Sequence, residues 1–218
     1  MAGAGRAGAP GRSGAGVGRA DLAITSREHL APLSPQGQSR RAMRQLLLLR
    51  HAKSSWEDST LPDHDRPLEQ RGRLAAMRMR RAMHGLGLQP DLVLVSSARR
   101  TVQTLEALEP WEETPNVETM DGLYLAGAEQ LLKILRATPG LVRSVLLVGH
   151  NPGLHDLAVT LAGAHGMTQA DENARRLAAG YPSGSLAEFT VAVPWQLLGE
   201  GTGRLVRFVC PKDLPEAA

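Results

Sequence analysis

The sequence predicts an α/β fold: a three-layer, doubly wound, mainly parallel sheet with helices on both faces and an antiparallel edge pair near the C-terminus. Three observations predict it. Continuous apolar runs at QLLLL (45–49), DLVLV (91–95) and SVLLV (144–148) have the length and uniformity of strands covered on both faces. Each is followed by a stretch whose apolar residues have helical spacing, so strands and helices alternate. Near the end the pattern changes, and SLAEFTVAV and RLVRFVC flank a glycine-containing loop, as two antiparallel strands would.

In chain order, the first twenty residues, MAGAGRAGAPGRSGAGVGRA, are Gly, Ala and Arg with almost nothing to bury. Residues 1–42 are therefore read as a disordered tail and residues 43–218 as the folded domain. An Arg-rich, acid-poor start is also the composition of a transit peptide. A natural start at Met43, two residues before the first strand, would instead make the tail non-native; both readings stay open. The GAGVG in this segment has the glycines of a nucleotide loop but follows no strand, so it carries no nucleotide site. After the first strand, PLEQRGRLAAMRMRRAMHGLGL (67–88) reads as a helix with Leu68, Leu74, Met77 and Met83 on one face and Gly85 and Gly87 ending it. DLVLVSS (91–97) is the second buried strand and RRTVQTLEAL (99–108) a helix. Residues 116–120 form a short strand, and AEQLLKILRA (128–137) a helix stopped by Pro139-Gly140. SVLLVGH (144–150) is another buried strand, followed by a helix over GLHDLAVTLAG (153–163).

Composition narrows the function classes. With 218 residues, 42% apolar but only 3% aromatic, the chain suits one domain, or one domain with an appendage, and a core of Leu, Val, Ala and Met. The single cysteine, Cys210, rules out an internal disulfide and a cysteine-based zinc site, and it suits a reducing, cytoplasmic setting. No apolar run approaches the roughly 18 residues of a membrane span, so no membrane partner is expected. The net charge of +3 sits in residues 1–40, which carry five arginines against Asp21 and Glu28; the rest balances at 20 basic and 20 acidic residues. A neutral body is not a polyanion-binding surface, so no nucleic-acid partner is expected.

The residues just beyond each buried strand carry the chemistry. Arg50-His51 succeeds the first strand, SSARR the second, and Gly149-His150-Asn151 the third. In open α/β sheets ligands bind beyond the carboxyl ends of the strands. If the three strands are neighbours, two histidines and at least two arginines converge there. Arginine offers planar, bidentate donors matched to phosphate oxygens. The helix opening near Arg100 adds backbone N–H groups, Gly149 lets backbone approach beside His150, and Asn151 is a further phosphate contact. A neutral histidine among such cations can attack phosphorus and form a covalent intermediate that water resolves. His51, His150 and His155 have no metal-motif spacing, so no metal or other cofactor is expected. Ser96 and Ser97 lack a G-x-S-x-G elbow and are not read as nucleophiles.

LLLLRHAKSSW (46–56) resembles the signature of the histidine phosphatase superfamily, the phosphoglycerate mutase-like group, in a form where Ala52 replaces the usual glycine. HDRPLEQRG (64–72) is similar to the Arg-Pro-Leu…Gly segment of its short phosphohistidine phosphatase branch. SSARRTVQT (96–104) resembles the second arginine motif, S-x-x-x-R-x-x-Q-T, and VGHNPGL (148–154) the second histidine motif. YPSGSLAEFTV (181–191) resembles the branch's closing strand. The resemblance implies His51 as the phosphorylated nucleophile, Arg50 and Arg100 as phosphate clamps, and His150 as a stabiliser of the transferring group. The motif register selects Arg100 and leaves Arg99 at the outer rim.

The superfamily's mutases and acid phosphatases use a further carboxylic acid to protonate the leaving oxygen. Asp121 is the candidate here, with Asp58 and Asp65 as rim alternatives. An acid matters less for a P–N bond, whose imidazole leaves readily. The 175 residues from 44 to 218 leave little for a lid, so an open pocket is expected. The expected activity is therefore a metal-independent phosphatase acting on phosphohistidine in a phosphorylated protein. A phosphomonoesterase for a small phosphorylated metabolite (a nucleotide or sugar phosphate) is the alternative, and a non-catalytic phosphate-binding module the third reading.

Overall fold

The computed structural model describes residues 43–167 and 171–215; the tail expected at 1–42 lies outside them. Six strands form one sheet: β1 (Arg44–Arg50), β2 (Leu92–Ser96), β3 (Asn116–Met120), β4 (Ser144–Gly149), β5 (Leu186–Val191) and β6 (Gly203–Val209). Their order is β3-β2-β4-β1-β5-β6. Strands β1 to β4 run parallel, while β5 is antiparallel to both β1 and β6. β6 and β3 are the edges, and β3 is largely exposed, consistent with its weak sequence signal.

The four leucines of β1 are 0% exposed and alternate between two cores. Leu46 and Leu48 pack with Leu147, Leu154, Leu157 and Leu135 on one face. That face is covered by α3 (Ala128–Arg136), α4 (Gly153–Gly166) and α5 (Glu172–Ala179). Leu47 and Leu49 pack on the other face with Val93, Val148, Met79 and Met83, under α1 (Gln70–Gly85) and α2 (Arg99–Glu106). Slipping β1 by one residue would carry Gln45 or Arg50 into a core position and displace one leucine, whose burial contributes roughly 2 kcal/mol, so the end of β1 is held in register.

The face of α1 differs from the expected one. Gly72, Ala76, Met79 and Met83 point inward, whereas Leu74 and Met77 are exposed at 48% and 37%. The reason is at Gly72, where a Cβ would run into the Lys53 carbonyl oxygen. That near-contact turns the glycine edge of the helix toward the loop after β1. The helix ends as anticipated at Gly87, whose φ of 65° supports a left-handed turn. Gly87 N–H reaches His84 O and Leu88 N–H reaches Met83 O, both at 2.9 Å, closing the helix in a Schellman pattern.

Helix α5 had no sequence-based expectation. Asp171 caps it by accepting from the amides of Asn173 and Ala174, and Asn173 Oδ1 accepts from Phe208 N–H of β6. Among the described residues no helix is long and apolar enough to cross a membrane.

Replacing Gly72 with alanine should destabilise the fold by roughly 1–3 kcal/mol, whereas Leu74→Ala should change it by less than about 0.5 kcal/mol. Urea unfolding midpoints of the two variants check the contrast.

Candidate active site

Strand β4 lies between β1 and β2, so the carboxyl ends of the three buried strands are adjacent. Arg50 is the last residue of β1, opposite Gly149 of β4. The backbone of His51 is tied on both sides: its N–H donates to Gly149 O (3.1 Å), and its carbonyl accepts from Gly184 N–H (3.0 Å). A Cβ on Gly149 would crowd the side chain of Leu147 and lie in ordinary contact with Leu154.

The His51 ring is fixed by its neighbour's backbone. Nδ1 lies 2.8 Å from Ala52 O. A carbonyl only accepts, so Nδ1 carries the proton and Nε2 keeps its lone pair. Ala52 N–H donates to Thr104 Oγ1 (3.0 Å), and that hydroxyl donates to Arg100 O (2.6 Å). Gln103 Oε1 accepts from Leu68 N–H. Both motif residues of α2 thus fasten the loops that follow β1.

Arg100 is 3% exposed, and Arg99 faces solvent. The Arg100 guanidinium donates through NH1 to Asp63 O (2.6 Å) and through NH2 to Asp63 Oδ2 (2.9 Å). NH2 also lies 3.4 Å from His150 Nδ1. A guanidinium can only donate, so His150 Nδ1 is the acceptor and its Nε2–H donates to Ser96 Oγ at 2.8 Å. The rings of His51 and His150 are 5.2 Å apart. At the first turn of α2, Thr101 N–H donates to Ala98 O, so only part of that turn is open to an anion.

Arg50 NH1 donates to Tyr181 O (2.7 Å), which also accepts from Asn151 Nδ2 (3.1 Å). One Asn151 amide hydrogen is therefore committed to backbone. The Tyr181 hydroxyl bridges Leu48 O and Ala187 N–H across β1 and β5, which makes YPSGS a brace for Arg50. His155 lies elsewhere, bonded to Leu177 O near α5.

The three carboxylates considered from the sequence are not brought into contact with these residues. Asp121 is exposed and opens a helical turn, where its carbonyl accepts from Tyr124 N–H. Asp58 pairs with Thr60, and Asp65 with His64. The carboxylate that does reach the site is Asp63, which sequence reasoning passed over. Its Oδ2 accepts from Arg100 and from Tyr124 Oη (2.8 Å), and its Oδ1 from Arg66 NH1 (2.9 Å). Arg66 also holds Ser55 O and Ser54 Oγ, which gives the Arg of the Arg-Pro-Leu segment a structural task. The available signal was the i, i+3 spacing of Asp63 and Arg66 in a short turn between Pro62 and Pro67. Tyr124 had none.

Burial, opposed by the Ala52 hydrogen bond and helped by Arg100 and Arg50, lowers His51 to about 4. Burial, then the charges of His51 and Arg100, lowers His150 to about 3. Partial burial pushes Asp63 up, but the Tyr124 hydrogen bond and Arg100, with Arg66, hold it down at about 2. At neutral pH the site thus has two neutral imidazoles, cationic arginines and an ionised carboxylate. Both histidines bind a proton more weakly folded than unfolded. Stability is therefore full above about pH 6.5 and falls as pH drops toward about 4. In an NMR titration the His51 and His150 rings should have midpoints near about 4 and about 3; midpoints near about 6.5 would contradict this electrostatic account.

Comparison with known proteins bears on the fold and the family. A sequence profile of the histidine phosphatase superfamily (branch 1) matches residues 46–124. An uncharacterised chloroplastic protein of Arabidopsis thaliana is 36% identical over 132 residues, 56% of this chain and 60% of that protein, so the match spans less than two thirds of that relative's length. An uncharacterised protein of Mycobacterium tuberculosis is 32% identical over 168 residues, 75% of this chain and all of that one. Among solved structures, a chain assigned as the phosphohistidine phosphatase SixA of Nakamurella multipartitia superposes with a TM-score of 0.68 at 28% identity, covering 78% of this chain and 96% of that chain. The four motifs, the sheet that gathers them and these matches lead to one conclusion: the chain belongs to the histidine phosphatase superfamily.

Proposed function

We propose that this chain is a phosphatase that passes the phosphoryl group through His51, and that its substrate is phosphohistidine in a protein. The observation that carries the chemistry is the fixed tautomer of His51. Its Nδ1 is spent on Ala52 O, which leaves the Nε2 lone pair for phosphorus. In the first step that lone pair forms the P–N bond while the bond to the leaving group breaks and takes its electron pair outward. Arg50 and Arg100 hold the equatorial oxygens. A bound phosphoryl group brings negative charge next to His150 and raises its affinity for a proton, so it becomes a further donor to those oxygens. Water then attacks phosphorus, the P–N bond returns its electrons to His51, and the proton of water leaves with inorganic phosphate. Every role falls to a side chain of this chain, so the mechanism calls on no metal.

The state of the Asp63 carboxylate supports this substrate class. Asp63, held at about 2, has no proton to give at neutral pH. An alkoxide expelled from a phosphate ester would need one, whereas an imidazole protonated on its other nitrogen leaves as a neutral molecule. The resemblance in fold and sequence to the chain assigned as a phosphohistidine phosphatase supports the same substrate.

His51→Ala should reduce turnover by roughly three orders of magnitude or more. A panel of phosphohistidine peptides, nucleotides and sugar phosphates should show preferential hydrolysis of the peptides by the wild type. Full activity in His51→Ala would refute the mechanism. Hydrolysis of esters alone would refute the substrate, and phosphate binding without turnover would refute catalysis.

A further inference from the structure

Among the described residues, Asp63 is the only carboxylate paired with Arg50 or Arg100. Its position along the depth of the site differs from that of its partners. His51, Arg100 and His150 are 9%, 3% and 2% exposed, whereas the Asp63 side chain is 45% exposed. His51, Arg100 and His150 thus form the buried part of the site, and Asp63 lies at its exposed edge, bonded to Tyr124. In-line displacement sends the leaving group away from the nucleophile, and Asp63 is the charged group at the exposed edge of this otherwise buried cluster. A leaving group that exits across that edge meets the Asp63 carboxylate.

An anion beside a phosphate site needs explaining, because it weakens the pull of the arginines on phosphate. Asp63 also does more than hold Arg100 in place: Oδ1 is turned to Arg66 and Oδ2 is shared with Tyr124. Oδ2 thus has both its acceptor sites filled, by Arg100 and Tyr124, whereas Oδ1 accepts from Arg66 alone and can take one further hydrogen bond. We propose that Asp63 is a specificity-determining residue that selects an N-phosphorylated imidazolium, by accepting a hydrogen bond from, and electrostatically favouring, the protonated ring nitrogen of the leaving histidine. This inference rests on the phosphohistidine substrate proposed above and deepens it. With that nitrogen protonated, the P–N bond electrons pass to the phosphorylated nitrogen as the bond breaks. Neutral imidazole departs and no further proton is required. A phosphate monoester offers no such cation, and its leaving oxygen meets the carboxylate as a repulsive neighbour.

The groups facing Asp63 set the background for any pH effect. They are Arg66 on its own loop, Arg100 on α2, Tyr124 after β3, and, deeper, His51, His150 and Arg50. His64 and Asp65 adjoin it, with the His64 ring 4.9 Å from that of Tyr124. These neighbours remain in an Asp63→Asn variant, which removes the charge and keeps the shape.

The test measures kcat/KM of the full chain for a peptide carrying phosphohistidine and for p-nitrophenyl phosphate, whose leaving group needs no proton. Wild type, Asp63→Asn and Asp63→Glu are compared from about pH 6 to 9, the range over which the substrate's imidazolium loses its proton. The peptide-to-ester ratio should fall at least about tenfold in Asp63→Asn, the size of one hydrogen bond to a charged group. The alkaline decline with the peptide should move to lower pH by about one unit, and Asp63→Glu should recover most of the ratio. A ratio and alkaline limb unchanged in Asp63→Asn, with both substrates slowed alike, would overturn the inference and leave Asp63 as a brace for Arg100. A wild type that hydrolyses the ester but not the peptide would overturn the substrate reading and this inference together.

Discussion

A 2.8 Å hydrogen bond from Nδ1 of His51 to the carbonyl of Ala52 decides which nitrogen of the ring keeps its lone pair. Imidazole has two nitrogens, and without a fixed partner it would exchange between tautomers in the pocket. The Ala52 carbonyl can hold only the Nδ1–H form. It is itself fixed because the Ala52 amide is bound by Thr104, whose hydroxyl is bound to the backbone of Arg100. One short chain of hydrogen bonds therefore links the tautomer of His51 to the backbone of Arg100.

That chain has value only because β1 cannot move. Its leucines are buried in two cores, and its end is pinned between Gly149 of β4 and Gly184 before β5. Tyr181 serves the same end from the other side, with its hydroxyl bridging β1 and β5 and its carbonyl holding Arg50. Burial that makes the strand rigid also keeps the histidines neutral, so structural and chemical demands on the site coincide. Asp63 and Tyr124, bonded to each other, lie at the exposed edge of this buried cluster.

Much of this was legible in the sequence because it is encoded locally. Uniform apolar runs announce buried strands, and the residues just beyond them fall at the carboxyl edge by geometry alone; Arg50, His51, Arg100 and His150 are gathered there. The motif register also separated buried Arg100 from exposed Arg99. The inward face of α1 was not legible. Leu74 and Met77 outweigh Gly72 in any hydrophobicity pattern, but the close approach to Lys53 O depends on tertiary packing. Asp63 escaped for a related reason. It is one of three aspartates in an eight-residue polar stretch, and only the fold reveals that it, and not Asp58 or Asp65, meets Arg100. Ser96 was weighed as a nucleophile and is instead the partner of His150.

The most direct measurement is the position of the phosphoryl group on the trapped enzyme. Rapid quenching of wild-type enzyme under alkaline conditions, followed by isomer-resolved identification of the phosphohistidine on His51, reads which nitrogen attacked. The hydrogen bond to Ala52 O predicts phosphate on Nε2 of His51. Phosphate on Nδ1, or on another residue, would contradict the account.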